Sequence, residues 1–279
     1  IPIISALGTG NKKEAPLLRI ADISKTSGCA LARVVRRELR QRGGTGVQSA
    51  DKEQVLEYLG GVEDVLDDMW PDLIMLQEVD VDSTRTYHID ESAMLARSQR
   101  VHALNYSCGF VPYPLPPIGS VHSGLFTTTD YKIDSAERIS LPSPFKWPVS
   151  TANLKRCLLV SYLPIDGSDK QLVLVNLHLE AYDDGEGKIA QTNQLRDFIT
   201  SEYEKGNYVI AGGDFNQVFP GSLDIYPIID PELWTPGVLD ENLLPDGWTL
   251  AYDLDTPSCR LLNQPYDKDD ENTQHYVID

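Results

Sequence analysis

Long apolar runs and closely spaced cysteines are absent from this sequence of 279 residues. No apolar run approaches the roughly 18 residues that a membrane-spanning helix needs, so no transmembrane segment is predicted. The four cysteines (Cys29, Cys108, Cys157 and Cys259) form no CxxC pair, which argues against a zinc site. Cys157 lies in an apolar run typical of a strand and is expected to be a small core residue. The even number of cysteines leaves the cellular compartment open.

Basic charge is also scarce, since 24 Lys and Arg stand against 42 Asp and Glu and the net charge is −18. Tight, sequence-independent binding to duplex DNA usually requires a basic face, so this acidity argues against a nucleic-acid substrate without excluding one. Carboxylates that hold divalent cations would add to the acidic count, and the bound metal would offset part of it. With 41% apolar and 24% charged residues, the composition is otherwise that of a globular protein with a sizeable core.

The apolar pattern predicts one compact α/β domain that spans residues 1–279, because helices and strands alternate without repeats or low-complexity linkers. The chain begins with Ile1 instead of Met and shows no signal peptide. We therefore expect it to be a piece of a longer protein, with any targeting segment outside it. We expect a monomer.

Helices are predicted over residues 51–70 and 188–205, where apolar side chains recur every three or four positions, and a further helix over 31–42. The inner face of the first is expected to hold Val55, Leu59, Val62, Leu66 and Met69, and that of the second Ile189, Leu195, Ile199 and Tyr203. Strands are predicted over residues 1–4, 73–79, 124–129, 132–139, 157–165, 171–179, 208–211, 248–254 and 275–278. A hairpin turn is predicted at 166–169, and a long surface loop at 220–246.

Three groups of polar side chains lie where predicted strands end: LQEVD at 76–80, NLHL at 176–179 and GGDFN at 212–216. Strand ends are where α/β proteins build their sites, because the strand fixes a side chain and the following loop exposes it. Glu78 is therefore a candidate ligand for Mg²⁺, which prefers oxygen donors. The alternative for Glu78 is an ordinary salt bridge at the end of an element.

The other two groups offer a carboxylate, two amides and a histidine. Asp214 and Asn216 are two positions apart, so on a strand both would face one site, although Asp, Asn and Gly are also the usual turn formers. His178 is either a buried core residue or a donor to a phosphate oxygen and general acid. Asn176 shares its strand face and could orient His178.

In this order and spacing, the three motifs resemble those of the endonuclease/exonuclease/phosphatase (DNase I-like) superfamily, over residues 54–279. The runs DVDSTRTYH at 80–88 and FVPYPL at 110–115 are similar to those of uncharacterised bacterial members. The resemblance implies an α/β four-layer sandwich, in which two mixed β-sheets pack face to face with helices outside, here truncated at both ends. It also implies a metal-dependent phosphoester hydrolase (phosphodiesterase, nuclease or phosphatase) in which water attacks the phosphate in line.

The resemblance assigns roles residue by residue. It implies that Glu78 binds the metal, which would be Mg²⁺ or else Mn²⁺ or Ca²⁺, and that His178 contacts the scissile phosphate. Asp214 and Asn216 would position the attacking water and the phosphate, and Asp279 would pair with a catalytic histidine.

Three further residues are expected near the substrate phosphate. Arg156 matches a position that can contact phosphate in the superfamily. Arg85 follows the QE motif closely, and Asn176 lies two positions before His178. Either arginine is as readily explained by an ordinary surface ion pair.

Two departures from the family pattern bear on activity. Residues 1–10 contain no Tyr-Asn pair, and Asn11 lies in the wrong setting to replace it. The Ser-Asp-His motif expected after Asp279, which supplies the general base, is not within the chain, and His275 is not expected to replace it. Hydrolysis by residues 1–279 alone is therefore expected to be weak or absent. The alternative function is a catalytically inactive phosphate- or lipid-binding module that keeps the fold. For an active enzyme, the acidity favours a small or lipid phosphoester substrate over duplex DNA.

Overall fold

The computed structural model describes residues 51–111, 117–147, 150, 153–183, 185–261 and 273–279, and near the start of the chain the backbone of three short strands. These strands are β1 (Ile3–Ala6), β2 (Arg19–Ile20) and β3 (Val47–Gln48), of which β2 and β3 pair antiparallel. The helix expected over 31–42, together with Asn11 and Cys29, lies outside the described residues.

The remaining elements follow in chain order. Helix α1 (Lys52–Met69) leads to strand β4 (Leu73–Asp80), a 3₁₀ helix (Thr84–Thr86) and the short helix α2 (Glu91–Met94). Next come β5 (Gln99–Val111), β6 (Gly119–Thr129), β7 (Ser135–Ser140), β8 (Cys157–Pro164), β9 (Gln171–His178), helix α3 (Glu186–Glu204) and β10 (Tyr208–Asp214). The final elements are β11 (Gln217–Val218), α4 (Ser222–Ile225), β12 (Gly237–Val238), β13 (Cys259–Arg260) and β14 (His275–Tyr276).

Two four-stranded mixed sheets dominate the described part of the chain. The first has the strand order β1-β4-β6-β5 and the second the order β10-β9-β8-β7. In each sheet the first pair is parallel and the next two pairs are antiparallel. The turn expected at 166–169 joins β8 and β9 as an antiparallel hairpin, with Gly167 at a φ of 76°.

The two sheets pack face to face, and each carries a helix on its outer side. On β4, Leu73 packs with Leu163 and Leu174 of the second sheet, whereas Ile74 and Leu76 pack with α1. On β9, alternate side chains turn to the opposite face and pack with α3: Val173, Val175 and Leu177. This period of two gives the order helix, sheet, sheet, helix. The four-layer α/β arrangement expected from the sequence is therefore confirmed for the described residues.

Helix α1 begins where its sequence predicts. Asp51 caps the first turn by accepting a hydrogen bond from the backbone N–H of Gln54, and the Gln54 side chain accepts one from the N–H of Asp51. This reciprocal capping box satisfies two donors that a helix start leaves unpaired. The expected inner face is correct at Val55, Leu59 and Leu66, which are buried, and wrong at the final helical residue, Met69, which is exposed.

Helix α3 has a smaller apolar face than expected. Leu195 and Ile199 are buried, but Ile189 and Tyr203 are exposed. Ile189 precedes Leu195 by six positions, which at 3.6 residues per turn places it about 240° around the helix. Tyr203 packs edge-on against Trp248, which lies in a loop, with ring centroids 5.5 Å apart.

Several strand predictions were wrong, in extent or in kind. Residues 248–254 form no strand; their alternate side chains instead pack from a loop against the core cluster that contains α3. The strand expected at 208–211 continues through both glycines to Asp214, and β5 was not expected at all. The segment 220–246 is largely irregular as expected, but it buries Leu233, Leu239 and Leu243.

The expectation for Cys157 is confirmed, because it is fully buried and its burial raises the pKa of its thiol. Among the described residues, Cys108 and Cys157 form no disulfide bond. Among the described residues, no helix combines the length and the hydropathy that crossing a bilayer would take.

We expect Asp51→Ala to lower the free energy of unfolding by about 1 kcal/mol, because it removes the cap of α1. Glu57→Ala is the matched control, since Glu57 is an exposed carboxylate within the same helix. Urea denaturation of both variants measures the difference. Equal effects of the two substitutions would show that the capping box contributes nothing measurable.

Candidate active site

A β-bulge in β4 sets the direction of Glu78. Leu76 pairs with Phe126 and Val79 with Gly124, so β4 uses one residue more than β6 over this stretch. Ile74 and Leu76 face α1, and regular alternation would send Glu78 to the same side. Glu78 instead adopts a φ of 59°, which is uncommon for a residue other than glycine. The bulge thereby re-aims the side chain, and Glu78 Oε1 lies 4.0 Å from His178 Nε2.

His178 ends β9 and faces the first sheet. Its partner in the parallel pair with β10 is Asp214, and Asp214 Oδ2 lies 3.5 Å from His178 Nε2. The imidazole is almost fully buried, whereas the Glu78 side chain is 40% exposed. Two carboxylates from different sheets therefore flank one histidine at the edge of the sandwich, with Glu78 on the solvent side.

Asp214 also organises the turn that follows β10. Its Oδ1 accepts a hydrogen bond from the backbone N–H of Asn216, which has a φ of 51°. The strand ends at Asp214, so Asn216 does not share its face, contrary to the expectation from their spacing. The Asn216 amide instead donates to the carbonyl of Leu179, one residue after His178. Asp214 thus combines the turn role, which was the alternative reading, with a position beside His178.

A hydrogen bond between two fully buried side chains joins the two sheets behind this site. Gln77 Nε2 donates to Asn176 Oδ1 at 2.9 Å, and the Asn176 Nδ2 group donates at 3.0 Å to the carbonyl of Leu76 in β4 and to that of Phe126 in β6. The amide of Asn176 is therefore occupied by protein groups. A phosphate contact, as expected from the sequence, would require these bonds to break.

Gly213 makes room for this link. A Cβ at this position would lie 2.1 Å from the carbonyl oxygen of Leu177 and 3.1 Å from Gln77 Nε2, and its φ is 140°. Only glycine has both the backbone freedom and the missing side chain that this close approach requires. Gly213 of the GGDFN motif thus serves the packing of the sheets.

Arg156 lies beside His178 on the second sheet. It precedes β8, is 4% exposed, and its Nη1 group lies 3.5 Å from the carbonyl oxygen of His178. Its counter-ion is the buried carboxylate of Glu180, with 3.8 Å between Nε and Oε2. The arginine is therefore not in an ordinary surface ion pair, because both charges are removed from water.

Arg85 is held differently, by two short hydrogen bonds of 2.6 and 2.7 Å to the buried carboxylate of Asp80. Burial lowers the pKa of Arg85, but the hydrogen bond and the charge of Asp80, with Glu78 and Glu91 nearby, raise it above its usual value. The carboxylate of Glu91 in turn accepts a hydrogen bond from the backbone N–H of Asp80. Arg85 is half-exposed, and its charge acts on Glu78.

Asp279 lies close to the turn after β10. The carbonyl of the preceding residue, Ile278, accepts a hydrogen bond from the N–H of Phe215, and the N–H of Asp279 donates to the Ser258 hydroxyl. The structure thus brings Glu78, His178 and Asp214 together, with Arg156 and the backbone of Asp279 adjacent.

The donor set of this site fits a hard divalent cation. Among the described residues, no group of three or more His, Cys, Asp and Glu side chains is arranged to hold a metal ion. Mg²⁺ does not require such a group, because one or two carboxylates, waters and a substrate phosphate suffice. Glu78 and Asp214 supply two carboxylates around His178 Nε2. Oxygen donors of this kind suit Mg²⁺, Mn²⁺ or Ca²⁺ better than Zn²⁺.

Three residues of this region had no role in the sequence-based prediction: Gln77, Glu180 and Gly213. Gln77 and Gly213 lie inside the recognised motifs. An amide in a buried strand and a glycine at a strand end are the signals that could have indicated a polar link between the sheets and a close approach of two backbones. Glu180 directly follows the NLHL motif. Its proximity to Arg156 depends on the β8–β9 pairing, which motif spacing does not show.

Comparisons with known proteins place this chain near solved structures only. No family model matches the sequence, and no curated protein matches it. It is similar, at 18% identity and a TM-score of 0.42, to an endonuclease/exonuclease/phosphatase from Beutenbergia cavernae, over 57% of this chain and 42% of that one. A truncated TDP2 from Caenorhabditis elegans is 19% identical, with a TM-score of 0.41, over 68% of this chain and 59% of that one.

ANGEL2, a 2',3'-cyclic phosphatase, is 17% identical with a TM-score of 0.41, over 67% of this chain and 55% of its own. The chain thus covers less than two thirds of the length of each of these structures. Proteins described as endonuclease/exonuclease/phosphatase family members are present among the neighbours, bacterial ones included. These identities and TM-scores are too low to assign a function.

We expect Asn176→Ala to lower the free energy of unfolding by about 3 kcal/mol, because it leaves the carbonyls of Leu76 and Phe126 and the amide of Gln77 buried without their partner. Asn242→Ala, in an exposed turn, is the control for loss of an amide. Thermal or urea denaturation measures both. A loss no larger than that of the control would contradict the structural role of Asn176.

Proposed function

We propose that this chain carries the site of a metal-dependent phosphoester hydrolase in which water attacks the phosphate in line. One observation supports this above all: Glu78 and Asp214, from different sheets, flank Nε2 of the buried His178 at 4.0 and 3.5 Å. A buried histidine between two carboxylates, with a buried arginine beside it, combines groups that hold a proton, a cation and an anion.

Each residue has a proposed role. Glu78, with Asp214 near it, would hold the cation, which when bound polarises the phosphate and stabilises the leaving oxygen. Asp214 and Asn216 would orient the water and the phosphate, and Asp279 a general base. His178 would donate a hydrogen bond from Nε2 to a phosphoryl oxygen, and Arg156 would meet the charge that develops there.

The charge of the chain supports a small or lipid phosphoester as the substrate. A net charge of −18 repels a long polyanion such as duplex DNA, whereas a single phosphate needs only the local cations. Arg156, beside His178, and Arg85, which interacts electrostatically with Glu78, would supply these cations. The protein is proposed to act as a monomer.

A second candidate function is a phosphate-binding module without turnover. It is favoured by the lack of a Tyr-Asn pair in residues 1–10, because the Asn of that pair helps to hold the metal in the superfamily that the motifs resemble. Phosphate and Mg²⁺ binding by the complete protein, without release of product from any phosphoester, would support this function and contradict catalysis.

We expect Glu78→Gln and His178→Gln each to lower kcat/KM of the complete protein by about 10²- to 10³-fold, because each removes a charge or proton donor from the transition state. Glu78→Gln should also raise the Mg²⁺ concentration needed for half-maximal rate. Steady-state assays with a phosphodiester and a phosphomonoester measure this, with Glu57→Gln as the matched control. Near-normal turnover by either site variant would refute the assignment.

We also expect small or lipid phosphoesters to be hydrolysed more efficiently than plasmid DNA. The relevant measurement is kcat/KM over a panel of nucleotide, phosphoinositide, sphingomyelin and DNA substrates with Mg²⁺, repeated with a chelator. A panel in which plasmid DNA is the best substrate would overturn the inference from charge.

A further inference from the structure

Arg156 is a buried cation whose hydrogen-bonding capacity is not used up. A guanidinium carries five N–H donors and stays protonated in proteins. Its Nη1 contact with the carbonyl of His178 is long, at 3.5 Å, and its Nε donates to no other described residue. Burying an arginine in this way is unfavourable unless an anion or an acceptor completes its shell.

Glu180 supplies the negative charge but not the missing hydrogen bond. Its Oε2 lies 3.8 Å from Arg156 Nε, within the range of an ion pair and beyond that of a hydrogen bond. The contrast with Arg85 is direct, because Asp80 engages that guanidinium through two hydrogen bonds of 2.6 and 2.7 Å. Arg156 therefore keeps N–H donors for a further oxygen, whereas two N–H donors of Arg85 are already bonded to Asp80.

The Glu180 carboxylate is fixed where it is by its own loop. Its Oε1 accepts hydrogen bonds from the N–H groups of Ala181 and Tyr182, both at 3.0 Å, and its backbone N–H donates to Gln191 of α3. The carboxylate is 4% exposed. It therefore cannot move towards Arg156 to close the gap without breaking two backbone hydrogen bonds.

Hydrogen bonds from other parts of the chain also fix the loop that carries Glu180. The carbonyl of Ala181 accepts hydrogen bonds from the Trp234 indole and from the buried ammonium of Lys188. The carbonyl of Leu179 accepts one from Asn216. Contacts from three separate parts of the chain thus hold the charge of Glu180 at a set distance from Arg156.

We propose that Glu180 is a positioning residue that acts through Arg156: it holds the guanidinium beside His178 and weakens the hold of the site on phosphate by partly neutralising the arginine charge. This inference rests on the proposed function, since it takes Arg156 as a contact of the phosphate. A partly neutralised cation lets an anionic product leave.

The test is the affinity for inorganic phosphate, measured by calorimetry on the complete protein in metal-free buffer. Glu180→Gln keeps Oε1 as an acceptor for the two backbone N–H groups but removes the charge. We expect phosphate to bind about tenfold more tightly, as charges a few ångströms apart typically couple by at least this factor. Arg156→Gln should bind phosphate weakly, and the double variant E180Q/R156Q should lose the gain.

Glu204→Gln is the matched control, because Glu204 is exposed at the far end of α3 and its loss changes the net charge equally. Unchanged phosphate affinity in folded E180Q, or a gain that persists in the double variant, would overturn the proposal. If E180Q does not fold, Glu180→Asp replaces it, since withdrawing the charge by one carbon should still tighten phosphate binding about threefold. No gain in that variant would likewise overturn the proposal.

The phosphate measurement separates this inference from the proposed function. A protein that hydrolyses no phosphoester, yet binds phosphate more tightly as E180Q, would retain the role of Glu180 and lose the catalytic proposal. Turnover that depends on Glu78 and His178, together with a phosphate affinity that E180Q does not change, would retain the catalytic proposal and exclude the role of Glu180. Wild-type protein whose phosphate binding does not depend on Arg156 would exclude the role of Glu180.

Discussion

The hydrogen bond between Gln77 and Asn176 is the interaction on which the rest of the site depends. It joins inner strands of the two sheets through residues 99 positions apart in the sequence. Because the Asn176 amide also binds the carbonyls of Leu76 and Phe126, the bulged end of β4 is fixed against β9. A fully buried polar link of this kind favours one relative placement of the sheets, whereas apolar packing alone tolerates small shifts.

Backbone irregularities then turn side chains towards the edge of the sandwich. The bulge at Glu78 and the turn at Asn216 both place a residue other than glycine at positive φ, at a cost of the order of 1 kcal/mol each. The first brings a carboxylate across to the second sheet, and the second lets Asn216 hold the loop after His178. Strain of this kind persists only where the surroundings enforce it, which the inter-sheet link does here.

The two arginines near the site are paired with carboxylates in different ways. Arg85 donates two hydrogen bonds to Asp80, and the nearby charge of Glu78 helps to raise the pKa of Arg85. Arg156 is paired more loosely with Glu180 and keeps donors beside His178. Under the proposed function, the net charge of −18 would disfavour a large polyanion, whereas the local arginines would act on a single phosphate.

The sequence pattern by itself determined the α/β class and most of the candidate residues, while the four layers were implied by the resemblance to a known superfamily. The alternation of strands and helices gave the α/β class, and polar residues at strand ends located Glu78, His178 and Asp214, because local periodicity and chain order suffice for both. The sequence did not predict the side-chain positions that depend on contacts between distant segments. Alternation would have aimed Glu78 at α1, and nothing local pairs Glu180 with Arg156. The bulge, the β8–β9 register and the inter-sheet amide link set those positions, since each depends on neighbours that meet only after the sheets have packed.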